Sequence, residues 1–208
     1  NKHKKIFPNM PKYYKGYILL RLRETGSEWK VVEKVRNLKS REDDEDEDWY
    51  VFYCTPIFGS WDILLEICLS KHEELDKLKT FFNIDEELSK MIEESITFIS
   101  IKNNFDATKI KSQNLYYRAY VLVRLRKIGL EDEIVNKIKD LRSTEYGEDW
   151  LITYTSPIYG GWDLLVAISF SKLNELDKII TNLRSENELS TIIEETTTLV
   201  GAKQNFKG

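Results

Sequence analysis

The chain has 208 residues, 41% hydrophobic, 12% aromatic and 32% charged, a balance that fits a folded chain with a core and speaks against a membrane protein. Its formal net charge of −4 supplies no global positive field for nucleic acid phosphates, so direct nucleic acid binding is not expected. No apolar stretch approaches the roughly 20 residues that cross a bilayer, and the basic Asn1–Lys5 tail runs into Ile6-Phe7-Pro8 and not into a signal-type apolar segment, so the cytoplasm is the expected compartment.

Read from the N-terminus, the chain contains one unit twice. Tyr13–Arg23 recurs as Tyr116–Arg126 at an offset of 103, and Trp49–Phe105 recurs without gaps as Trp150–Phe206 at an offset of 101, with 26 of 57 positions identical. A repeat of this length defines the architecture before any local assignment. The expected domains are residues 13–105 and 115–206, joined by a polar linker over 106–114. Between the first two blocks of copy one lies the acidic run Glu42–Asp48, expected to be solvated, with a cation site or a docking strip for a basic partner as the alternative. Trp49 and Trp150, which follow the acidic segments, are expected in the core.

The element order is clearest in copy two. Tyr120–Leu125 is a β-rich run; Ile134, Ile138 and Leu141 recur at helical spacing behind the acidic Glu131-Asp132-Glu133, which favours a helix N-terminus. Trp150–Ile158 and Trp162–Phe170 form a hairpin about Gly160-Gly161. A second helix follows over about Lys172–Leu183 with Ser171 placed to cap it, where copy one offers Ser70 with Glu73 as a capping pair. A Thr-rich strand over about Ile192–Val200 ends the unit. The order βαββαβ, twice, predicts an α+β chain of two ferredoxin-like domains. Strand residues of both parities are apolar, as in Tyr120, Val121, Leu122 and Val123. The open sheet faces therefore need cover, and the two copies supply it by packing sheet to sheet as a pseudo-dimer resembling a dimeric α/β barrel.

These residues resemble the ligand-binding and oligomerisation domain of the Lrp/AsnC transcription regulators. The resemblance rests on the apolar first strand Ala119–Val123, the Gly160-Gly161-Trp162-Asp163 hairpin, the Leu164–Ala167 strand and the last strand with Thr196, Thr197 and Thr198. It implies an effector pocket near Gly59, Ser60, Trp61 and Asp62 in copy one and Gly160, Gly161, Trp162 and Asp163 in copy two, with Thr97, Thr196 and Thr198 as further lining. The same glycines also serve as plain turn formers and the aspartates as caps. The family's helix-turn-helix has no counterpart in the dozen residues before the first strand. The reading is therefore a stand-alone sensor of an amino acid or similar metabolite, without its own DNA-binding domain, expected to form homo-oligomers.

Two other classes are weighed beside it: an enzyme acting on a small organic substrate between the sheets, and a structural scaffold. Related sheet-on-sheet proteins include haem enzymes, but His3 and His72 both read as solvated, and no histidine pair or Cys-x-x-Cys supports a metal site. No catalytic residue, metal or cofactor is assigned; Asp62 and Asp163 are the candidate bases if an enzyme it is. Cys54 and Cys68 are expected as free, half-buried thiols in preference to a disulfide across their hairpin.

Overall fold

The computed structural model describes residues 12–41, 44–107, 117–185 and 189–202. Most of the expected linker, His3, Glu42 and Asp43 lie outside them. In copy one the elements are β1 (Tyr14–Leu22), α1 (Glu28–Val35), β2 (Trp49–Phe58), β3 (Ile63–Leu69), α2 (Glu73–Ile84), the single turn α3 (Leu88–Met91) and β4 (Ile92–Ser100). Copy two repeats them as β5 (Tyr117–Leu125), α4 (Glu131–Ile138), β6 (Trp150–Tyr159), β7 (Leu164–Phe170), α5 (Leu173–Ser185), α6 (Leu189–Ile192) and β8 (Ile193–Gly201). The short helices α3 and α6 had no counterpart in the periodicity, which one turn is too brief to register.

All strand pairs are antiparallel, and the two copies pair internally in the same register: β1 lies between β3 and β4, β5 between β7 and β8, and β2 and β6 flank β3 and β7. The sheets are also hydrogen-bonded to each other. Ile57 and Phe58 pair with Gly201 and Val200 along one seam, Ile99 and Ser100 with Tyr159 and Ile158 along the other, and the eight strands close into a barrel. Closure joins the edge strands at two short seams of two residue pairs each. Gly160 sits on the second seam at φ 129°, where a Cβ would lie 2.5 Å from the Thr97 carbonyl oxygen.

Strand alternation sorts side chains to the two faces of this barrel wall. Outward residues such as Ile18, Leu20, Leu65 and Ile67 pack under α1 and α2, and Val121, Val123, Val166 and Ile168 under α4 and α5. Inward residues from both copies meet in a shared core that includes Leu19, Leu64, Phe98, Leu122, Leu165 and Leu199. Tyr120, Val121, Leu122 and Val123, apolar at both parities, are thus all buried, while Phe58 and Tyr159 at the strand ends stay exposed.

Local details depart from expectation at the helix starts. His72, with no side-chain cap bond, is the N-cap of α2, and the Ser70–Glu73 pair does not form. Instead the buried Glu74 carboxylate accepts Ser70 N–H and Oγ–H (2.7 and 2.8 Å), Lys71 N–H (3.1 Å) and Asp48 N–H (2.8 Å), tying loop, strand and helix together. Glu175 does the same in copy two, and Ser171 is its hydrogen-bond donor and not a cap. An acid one position further on reaches four donors where a capping box would reach one, which decides the competition. The acidic run is anchored at its end: Glu47 pairs with Lys77, and Asp48 accepts the Tyr13 hydroxyl at 2.9 Å. Trp49 packs against the first core and Trp150 lies within the second. Cys54 faces the helices while Cys68 faces inward beside Tyr13 and Phe105, so both thiols are free, and they are fully buried.

Candidate functional site

The two Gly–Trp–Asp hairpins have near-identical surroundings. Asp62 Oδ2 accepts Leu22 N–H at 2.7 Å, and Asp163 Oδ2 accepts Leu125 N–H at 2.7 Å, each at the bulge that ends β1 or β5. Arg21 lies over Trp61 and Arg124 over Trp162, both at 4.6 Å, and each arginine is ion-paired to a glutamate of the adjacent strand, Glu94 or Glu195. Gly59, Gly160 and Gly161 have positive φ, and Ser60 gives its carbonyl to Arg21. Thr97 and Thr198 pair with Ile18 and Val121 inside the sheets. Thr196 borders a void of about 10 Å³ between the second sheet and its helices, room for about one water.

A larger cavity, about 700 Å³, opens at one end of the barrel between β6, α4 and the segment after β4, and none of those eleven residues lines it. Its floor is formed by Lys15, Glu66 and Arg118, which β1, β3 and β5 direct inward. Lys15 Nζ stands 2.6 Å from Glu66 Oε2, both side chains 1% exposed, and Arg118 Nη2 stands 3.4 Å from Oε1. The Tyr120 hydroxyl donates to Oε1. The ammonium of Lys15 also lies over Phe52 (3.7 Å) and Phe105 (4.2 Å), and the Arg118 guanidinium over Tyr53 (4.4 Å). Two cations thus face one carboxylate.

Burial disfavours ionisation of Glu66, but Arg118 and Lys15 outweigh it and hold the carboxyl below its ordinary range. Burial moves Lys15 the other way, lowering its pKa against the pull of Glu66. Arg118 is held charged above its usual value because Glu66 outweighs its own desolvation. Burial, reinforced by Glu66, keeps Tyr17 and Tyr120 as neutral phenols. Tyr17 OH, Arg118 Nε and Thr155 Oγ1 are buried and have no hydrogen-bond partner among the described residues. Buried polar atoms are normally satisfied, so three in one cluster need a reason.

Sequence reasoning missed this site. Its signal was Glu66, the one charge within the apolar strand Ile63–Leu69, at the position where copy two has Ala167.

With this geometry in hand, the comparisons place the fold. No family model and no curated protein matches the sequence. Among solved structures, TA0507, a protein assigned as a chlorite dismutase, is 12% identical, with a TM-score of 0.60, and the match covers 94% of this chain and 96% of that one. Chlorite dismutase from Candidatus Nitrospira defluvii is similar too. A tryptophan variant in complex with cyanide gives 9% identity and a TM-score of 0.58, covering 94% of this chain and 92% of that one. The same enzyme in complex with imidazole gives 9% and 0.57, covering 93% and 92%. At such identities the likeness shows the fold: a ferredoxin-like α+β arrangement of the chlorite dismutase type with eight antiparallel strands and six helices among the described residues.

This corrects the Lrp/AsnC resemblance, and with it the regulator and transcription reading. The features that carried it belong to the strand and turn geometry of the βαββαβ unit: the hairpin glycines adopt positive φ, the aspartates bond the neighbouring strand end, and the threonines pair within the sheet.

Haem, weighed above for enzyme relatives of this architecture, does not fit the residues present. Among the described residues no His, Cys or Met lies on the wall of the large cavity. Its Tyr154 is kept protonated by burial and meets Asn104 at 3.4 Å. His72, the one imidazole among the described residues, is not solvated as expected: it packs against Tyr14 and Tyr159 at the start of α2 with its Nε2 buried and without a hydrogen-bond partner among the described residues, and it does not line that cavity. The usual axial ligands are therefore missing where there is room. Among the described residues no group of three His, Cys, Asp or Glu could hold a metal, and no helix is long and apolar enough to cross a membrane.

Proposed function

We propose that the chain is an enzyme of the α/β-barrel class that binds and acts on a small organic anion in the cavity at the barrel end. Its two copies are read as fused ferredoxin-like domains, 13–105 and 115–206, whose facing sheets enclose the reaction space. The observation that carries this is the floor of the cavity, where Lys15 and Arg118 together oppose the single carboxylate of Glu66. The excess of basic groups is confined to this buried floor, where an anion is bound more strongly than at a surface; nearer the mouth Lys102 and Lys139 are balanced by Asp106, Asp132 and Asp140.

The chemistry such a floor favours is one in which negative charge builds up on the ligand. Fixed cations and phenolic donors aimed at that charge need no reorganisation as it forms. Arg118 is the binding cation, since its planar fork suits a carboxylate and it lines the cavity. Lys15, held between Glu66 and two aromatic rings, fixes the field at the floor. Glu66, ionised between two cations, is a counter-charge and a poor base.

Thermal unfolding against a panel of small carboxylates tests the reading. A ligand at about a hundredfold excess over its Kd stabilises by about 2.7 kcal/mol, a rise in midpoint of roughly 5 to 10 °C for a chain of this size. The shift is expected for the native chain and is expected to vanish in Arg118→Gln. No shift with any carboxylate at millimolar concentration overturns the proposal. A Soret band on titration with haemin would return haem to consideration.

A further inference from the structure

The barrel-end cavity holds about 700 Å³, far more than a carboxylate group fills, so the body of its ligand is set by the walls above the floor. Of the floor groups Arg118 keeps side-chain surface, 15% exposed, while Lys15 and Glu66 at 1% lie beneath it. Part of the wall is aromatic. Phe52 comes from β2, Phe105 from the segment after β4 and Tyr154 from β6, and all three line the cavity. Phe105 joins the other two: its ring meets Phe52 at 5.3 Å and 77° and Tyr154 at 5.3 Å and 89°, both edge to face. Phe52 and Tyr154 are half-buried, so each keeps ring surface open.

This wall is fixed before any ligand arrives. The Phe105 N–H donates to the Tyr13 carbonyl oxygen at 3.1 Å, and the Tyr13 N–H donates back at 3.0 Å. The Lys15 ammonium lies over the Phe52 and Phe105 rings, and the Tyr154 hydroxyl meets Asn104 Oδ1. Rings held in this way lose little freedom on binding. The repeat breaks at the same place, since Phe52 is answered by Thr153 and both positions line this one cavity. The short threonine leaves open the volume that a second phenylalanine would fill. Val135 and Pro157 extend the wall without charge.

We infer that the cavity takes an aryl carboxylate, with its carboxylate against Arg118 and its flat ring against the wall of Phe52, Phe105 and Tyr154. Ring pairs in edge-to-face or offset contact contribute beyond the area they bury. A saturated ring of similar size buries as much surface but lacks that complementarity. The cavity therefore selects aryl over alkyl acids, and its volume favours a fused ring pair over a single ring.

This rests on the anion-binding reading and names its substrate class. The test is calorimetric titration at pH 7 of benzoate, cyclohexanecarboxylate and 2-naphthoate into the native chain, Phe52→Leu, Tyr154→Leu, Tyr154→Phe and Arg118→Gln. Benzoate should bind about three- to tenfold more tightly than cyclohexanecarboxylate, and 2-naphthoate about tenfold more tightly than benzoate. Each leucine variant keeps apolar volume and removes a ring, so the aryl preference should fall to about twofold or less, whereas Tyr154→Phe should keep it. The two leucine variants secure the test if one fails to fold. Cyclohexanecarboxylate binding as tightly as benzoate, or an aryl preference unchanged in both leucine variants, would overturn the aryl reading; with binding lost in Arg118→Gln, the anion cavity would still stand. Absence of binding to the native chain would overturn both.

Discussion

The two copies of the repeat agree at their hairpins and differ inside the barrel. At the hairpins Asp62 and Asp163 make the same bond at the same length, and Arg21 and Arg124 cover Trp61 and Trp162 at the same distance. Inside, Glu66 is answered by Ala167, Lys15 by Arg118 and Phe52 by Thr153. Geometry that both copies need is kept twice, whereas the shared interior is one space, in which the copies can divide the work. The difference teaches that in a duplicated barrel the repeated motif reports the fold and the unrepeated residue points to the site.

The largest expected effect comes from breaking the interior. Glu66→Ala leaves Lys15 and Arg118 buried without their counter-charge, and removing one partner of a buried ion pair costs about 3–5 kcal/mol. Urea unfolding should show a loss of that size, whereas Ala167→Gly should cost far less although it occupies the matching position. The same carboxyl carries a pH dependence. Its folded pKa lies below its unfolded value of about 4.3, so its stabilisation is complete above that value and is lost as pH falls through the folded pKa. Glu175, held low by three backbone N–H groups against its own burial, adds to this with the same sign. Acid titration of the midpoint should therefore show a steep fall below about pH 4, shallower in Glu175→Gln.

Next come the first hairpin glycines, the same residue in both copies but set in different space. Gly59 and Gly160 share a positive φ, but a Cβ is unobstructed at Gly59 and meets the Thr97 carbonyl oxygen at 2.5 Å at Gly160. Gly59→Ala should cost about 1 to 2 kcal/mol for the left-handed backbone alone, and Gly160→Ala measurably more, because the barrel seam has to shift. The hairpin aspartates should behave alike: Asp62→Ala and Asp163→Ala each leave a strand-end N–H unpaired and should lose about 1–3 kcal/mol, equal within error. The smallest effect is expected at the arginine–tryptophan stacks, where Arg21→Ala and Arg124→Ala should each cost roughly 0.5–1 kcal/mol.

The fold was largely readable from the chain. Alternation and helical spacing predicted βαββαβ twice, the element order found here apart from the one-turn helices α3 and α6, and the apolar residues of both parities in Tyr120–Val123 are buried on both faces of the sheet. Barrel closure was not readable, because each seam consists of two residue pairs with no sequence mark of their own. The site was hidden for a related reason. A charge within a strand reads as an edge or an interruption unless its partner is known, and the partners of Glu66 come from β1 and from β5 of the other copy, 51 to 54 positions away. The hairpins drew attention because they repeat, yet repetition there reflects a turn and a cap that each sheet needs once.

The most direct measurement is a crystal structure of the chain with 4-bromobenzoate, located by the anomalous signal of its bromine. One bromine peak is expected in the barrel-end cavity, with the carboxylate against Arg118. Bromine peaks at the Trp61 and Trp162 hairpins, with the cavity left to solvent, would contradict it.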